Sequence, residues 1–80
     1  MDAQTIRSSL VSGRYRVTLH ARQRMAERMI FDSDISHCAE MASINNQGED
    51  KFKVTGQGLD GEELTIICAW DGETLIITLF

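Results

Sequence analysis

The chain has no proline, only two cysteines, and no apolar run long enough to cross a bilayer. Without proline, its turns must come from glycine and small polar residues. Apolar stretches such as Leu75 to Ile77 are short, and the N-terminal "MDAQTIRSSL" is acidic at Asp2 and lacks the apolar core of an export signal. The cytoplasm is therefore the expected compartment, with no membrane as a partner. Cys38 and Cys68 have no Cys-x-x-Cys spacing, so in a reducing compartment they read as small buried apolar residues and not as a disulfide. His37 adjoins Cys38, but neighbouring side chains on a helix diverge and no second ligand pair follows. No metal and no other cofactor is expected.

What is present describes a folded chain. Eighty residues suffice for one domain, residues 1–80, and 42% hydrophobic with 25% charged residues is the balance of a globular protein, not a disordered one. The net charge of −4 hides an asymmetry. Residues 1–31 hold six Arg against Asp2 and Glu27, whereas residues 32–80 hold Lys51 and Lys53 against ten acids. Such a split suits a basic face for a polyanion, or two halves that attract each other within a fold or across a homodimer. The acidic total argues against strong non-specific nucleic-acid binding, which rests on positive charge.

Periodicity orders the elements. Ala3, Ile6 and Leu10 have helical spacing, and Ser12-Gly13 stops that helix. "RYRVTLH" alternates Tyr15, Val17 and Leu19 with Arg14, Arg16 and Thr18, which predicts a half-buried strand with one basic face. Thr18 is placed to cap the helix that follows. After Phe31, Asp32 or Ser33 offers another cap, and Ile35, Cys38, Ala39 and Ala42 form one apolar stripe. "NNQGEDK" reads as a turn leading into a strand at "KFKVTG", with Phe52 and Val54 on one side. "GQGLDGEE" matches neither a phosphate loop nor a calcium loop and reads as a connection between strands.

Finally, "EELTIICAW" and "ETLIITLF" flank Asp71-Gly72, which predicts a hairpin with a two-residue type I′ loop. That loop would pair Trp70 with Glu73, Cys68 with Leu75, Ile66 with Ile77 and Leu64 with Leu79 on an apolar face. The order is α-β-α-α-β-β-β, a small α+β domain with a mainly antiparallel sheet and helices packed on one face.

The helix "HARQRMAER" holds the candidate functional residues. At about 100° per residue, His20, Gln23, Arg24, Glu27 and Arg28 share a polar arc opposite Ala21, Met25, Ala26 and Met29. His20, Arg24 and Arg28 recur every four residues, and two arginines one turn apart destabilise a helix slightly. A bound phosphate or a carboxylate-rich surface would stabilise the row. General frequency favours an internal ion pair for Arg24, with Glu27 offsetting part of its charge, and leaves Arg28 open. His20 lies near the positive end of the helix dipole, which disfavours a second positive charge there. That suits a general base, and it equally suits a neutral histidine fixing a strand-to-helix corner.

"RYRVTLHARQRMAERMI" resembles the front signature of the small bacterial DUF4258 family, in which a strand leads into a His-Ala-x-x-Arg-Met-x-x-Arg helix. The second helix near "DSDI" and the closing strands fit as well, from about Ile6 to Phe80. The resemblance implies a RelE-like fold within the RelE/ParE toxin superfamily, whose members pair with antitoxins and often cleave messenger RNA without a metal. It implies His20, Arg24 and Arg28 as catalytic positions and Arg14 and Arg16 as RNA-binding ones. The 2′-hydroxyl would attack the adjacent phosphate, with His20 taking its proton and Arg24 or Arg28 stabilising charge. The expected partners are then RNA and an antitoxin. A catalytically inactive relative, acting as a protein-binding or homodimeric module, is the alternative.

Overall fold

Asp2 opens the fold as a helix cap. Its Oδ1 accepts a hydrogen bond from the Thr5 amide at 2.8 Å, and that backbone bond holds the carboxyl below its ordinary range. In the computed structural model, which describes residues 1–80, α1 (Ala3–Ser12) follows and ends at Gly13 with φ 80°. Next come β1 (Tyr15–Val17), α2 (Leu19–Arg28) and α3 (Asp32–Met41). The remaining elements are β2 (Ser43–Gly48), β3 (Lys51–Gln57), β4 (Glu63–Trp70) and β5 (Thr74–Leu79). The strands form one sheet in the order β1-β5-β4-β3-β2, with β1 parallel to β5 and every other pair antiparallel.

The α+β class and the mainly antiparallel sheet agree with the sequence. The element order does not, because the chain has one strand more than α-β-α-α-β-β-β. "SINNQG" is that strand, β2, where the sequence suggested a turn. Its side chains are exposed apart from the half-buried Ile44, so it carries almost no apolar alternation and is held by main-chain pairing to β3. The loop from β2 to β3 consists of Glu49 and Asp50, both with positive φ (51° and 60°).

A single apolar core unites the helices and one face of the sheet. Ile6 and Leu10 from α1, Ala21 and Met25 from α2, and Ile35, Cys38 and Ala39 from α3 meet Phe52, Val54, Leu64, Ile66, Cys68, Ile76 and Leu79. Gly56 permits the closest approach. A Cβ there would stand 2.8 Å from the Cys38 carbonyl oxygen and 3.0 Å from its sulfur, so α3 could not lie this near β3. Arg7 secures the C-terminal end of the same helix. Its Nη1 donates to the carbonyls of Ala39 (2.8 Å), Ala42 (3.0 Å) and Glu40 (3.4 Å), placing a cation on carbonyls that have no partner within α3. Among the buried polar groups, Ser9 and Thr74 satisfy each other at 2.6 Å between hydroxyls.

The β4–β5 hairpin corrects the expected register. Trp70 pairs with Thr74 and not Glu73, so Asp71, Gly72 and Glu73 form a three-residue loop. Further along, Ile66 pairs with Leu79 and Ile67 with Thr78, which leaves Ile77 as an extra residue on β5. This bulge shifts the alternation: Thr74, Ile76 and Leu79 face the core, while Leu75 and Ile77 are half-exposed. The two-residue left-handed loop expected at Asp71-Gly72 is instead the one at Glu49-Asp50.

Candidate functional site

The Ile77 bulge is where α2 joins the sheet. Thr18 donates its amide to the Ile76 carbonyl at 3.0 Å and its hydroxyl to the Ile77 carbonyl at 2.8 Å. The same hydroxyl oxygen accepts from the Ala21 amide at 3.0 Å, so one threonine both extends the β1–β5 ladder and caps α2. This fixes the first turn of α2 against the end of β5. His20 Nε2 then lies 3.1 Å from Thr78 Oγ1, and half-buried Arg24 turns its Nε towards the Leu79 carbonyl at 3.5 Å. Arg28, one turn further, is exposed and makes no hydrogen bond or ion pair to the rest of the chain.

Two expectations for this helix fail. Arg24 has no carboxylate partner, neither Glu27 nor an acid elsewhere; the end of β5 offers it a carbonyl instead. The apolar arc is also narrower than the wheel implied. Ala21 and Met25 are buried, but Ala26 is exposed and Met29 lies beyond the helix end with φ 53° and 72% exposure. Leu19, expected on the apolar side of a strand, is the first residue of α2 and is exposed.

Thr78 extends the site across the sheet. It pairs with Ile67, Ile67 with Lys53, and Lys53 with Asn45, all on the face turned away from the helices. A parallel row runs from Arg16 through Leu75 and Ala69 to Lys51. Both lysines of the chain therefore stand on the uncovered face, as does Arg16. Neighbouring strands are about 4.8 Å apart, so Lys53 lies roughly 10 Å across the sheet from Thr78.

The two arginines expected to act together are separated. Arg16 extends over the open face and meets Glu73 at 3.3 Å. Arg14 precedes the strand and folds back on α1, with Nε donating to Ser12 Oγ at 3.0 Å and Nη2 to Ser8 Oγ at 3.5 Å. Tyr15, between them, points to the helix side and donates to Asp32 Oδ1 at 2.8 Å; burial and that acceptor push its phenol above the ordinary range.

The cysteines belong to the core. Burial pushes the Cys38 thiol up to about 11 and the Cys68 thiol up to about 12, so neither supplies a thiolate near neutral pH. No three His, Cys, Asp or Glu side chains gather closely enough to hold a metal ion, and no helix is long and apolar enough to cross a membrane.

Sequence reasoning missed Thr78, Lys51 and Lys53 as neighbours of the site, because their placement depends on strand pairing. The alternation in "KFKVT" puts both lysines on one face, and the pairing of β3, β4 and β5 then carries that face to His20.

The family described as "Domain of unknown function (DUF4258)" matches residues 17–80. No curated protein and no solved structure matches the chain. The matched segment includes His20, Arg24, Arg28 and every strand of the open face except the start of β1; α1, Arg14 and Arg16 precede it. On that span, the chain belongs to the DUF4258 family.

Proposed function

We propose that α2 and the adjoining open sheet face form an RNA-cleaving site of the RelE/ParE toxin type, independent of metal and controlled by an antitoxin. One observation carries this reading. In a chain with twelve acids, His20, Arg24 and Arg28 line one side of α2 and none meets a carboxylate. Arg24 and Arg28, two cations one turn apart left uncompensated among so many acids, cost helix stability, and an RNA phosphate would compensate them.

In this reaction the RNA 2′-oxygen attacks the adjacent phosphorus. His20 Nε2 receives the 2′-hydroxyl proton in place of its contact with Thr78, and Arg28 with Arg24 holds the developing phosphorane charge. The P–O5′ bond breaks, leaving a 2′,3′-cyclic phosphate and a 5′-hydroxyl end protonated from solvent. Lys53 and Arg16 would carry the flanking strand over the sheet.

The test is incubation of the purified chain with single-stranded RNA in the presence of EDTA, followed by analysis of the ends. Cleavage to cyclic phosphate should fall about 100-fold in His20→Ala, in the range for loss of a general base, with folding retained. RNA left intact by the wild-type protein, with no growth arrest on induction, would remove the catalytic reading.

A second reading has its own observation. No carboxylate orients His20, and Ile67, Leu75 and Ile77 stay half-exposed on the same face. A non-catalytic module would use that surface to bind a protein or a second copy of the chain. Sedimentation at rising concentration separates this case from a monomer.

A further inference from the structure

A cleft of about 550 Å³ opens between α1 and the β4–β5 loop. It lies at the Thr74 end of β5, about 13 Å along the strand from the Thr78 end that faces His20. The two are separate sites on opposite ends of one strand. The floor of the cleft is the Ser9–Thr74 hydroxyl pair, and Trp70 provides its only apolar wall.

Its charge is one-sided. Glu73 borders the cleft, but its carboxylate is engaged by Arg16 at 3.3 Å. Arg14 also borders it and bonds only the Ser8 and Ser12 hydroxyls, forming no ion pair. The guanidinium is thus the uncompensated charge of the cleft, and it retains donors for an anion.

The composition of α1 points the same way. Ser8 sits within a ten-residue helix although serine is a poorer helix former than alanine. Ser9 is accounted for by Thr74, and Ser12 by its bonds to the Ser8 carbonyl and Arg14. The Thr5 hydroxyl is turned to the Asp2 carboxyl, whereas that of Ser8 has only the 3.5 Å contact with Arg14 and lines the cleft.

We infer that this cleft binds a nucleoside monophosphate. The base stacks on the Trp70 indole, and the phosphate takes Arg14 together with the Ser8 hydroxyl. The ligand is a free nucleotide or the phosphorylated end of a short single strand, which present the same chemistry. The inference stands apart from catalysis at α2.

Trp70 is the only tryptophan, so its fluorescence reports the cleft directly. The full chain is titrated with AMP, adenosine, inorganic phosphate, and a tetranucleotide with or without a 5′-phosphate. AMP should quench saturably, with adenosine and phosphate each at least about tenfold weaker, because each lacks half of the contacts. Arg14→Gln should weaken AMP about tenfold or more through loss of a charge-assisted bond. Ser8→Glu, which sets a carboxylate beside Arg14, should abolish binding while the thermal transition persists. Tighter binding of the phosphorylated tetranucleotide than of AMP assigns the site to strand ends, and the reverse order assigns it to free nucleotide. No saturable response to AMP or to the phosphorylated tetranucleotide, or an Arg14→Gln affinity equal to wild type, overturns the inference.

Discussion

The two faces of the sheet are built from the same strands and do different work. On the covered face, Phe52, Val54, Leu64, Ile66, Cys68, Ile76 and Leu79 are shielded by three helices, and Gly56 gives up its side chain so that α3 can approach. On the open face, Lys51, Lys53 and Arg16 surround half-exposed Ile67, Leu75 and Ile77. The first arrangement is what stability selects. The second leaves apolar area in water and gathers cations on an acidic protein, so folding alone does not account for it.

The sharpest way to break this contrast is at the bulge, where adjacent isoleucines fall on opposite faces. Ile76→Ala should cost about 3–4 kcal/mol, as expected for emptying a fully buried site, and Ile77→Ala about 1 kcal/mol or less. Urea unfolding of both variants measures this. A larger loss for Ile77 would mean that the hairpin takes the two-residue Asp71-Gly72 loop and inverts β5.

That inversion is what the sequence suggested, and the reason is physical. Asp-Gly favours a two-residue turn locally, but Thr74 finds a buried hydroxyl partner in Ser9, and a three-residue loop delivers it there. The loop displaces the register, and the Ile77 bulge displaces it again so that Leu79 faces inward. Neither partner is near β5 in sequence. The helical stripes were legible because Ile6 with Leu10, and Ile35 with Cys38 and Ala39, carry their period locally. Strand β2 was not, since a polar edge strand is written in main-chain pairing. For the site, "HARQRMAER" pointed to the correct helix, while Thr78, the lysines, and the separation of Arg14 from Arg16 appear only when strands are paired. Arg7, which holds the end of α3, left no local signal at all.

A second test uses pH, because Cys68 lies on the covered face and Cys38 on the helix that covers it. Burial raises the folded values, to about 11 for Cys38 and about 12 for Cys68, above the roughly 8.5 of an unfolded thiol. The folded state therefore holds these protons more tightly. Their contribution is fully present below about pH 8.5 and is lost as pH rises through the folded values. Stability should decline from about pH 9 upward, and the decline should be shallower in Cys38→Ala with Cys68→Val. Equal alkaline slopes in the two proteins would show that these thiols are already open to water.

The smallest expected effect says the most about the open face. Arg16 and Glu73 form an ion pair with side chains 73% and 49% exposed, so water and salt screen it. Arg16→Ala should therefore change unfolding free energy by no more than about 0.5 kcal/mol. If Arg16 carries an RNA strand past His20, the same change weakens RNA binding several-fold and lowers its dependence on salt. Stability unchanged and RNA binding reduced would separate the two roles of this arginine. A stability loss as large as that from a core residue would show that the pair holds β1 to the sheet edge, and the charge of the open face would then serve the fold.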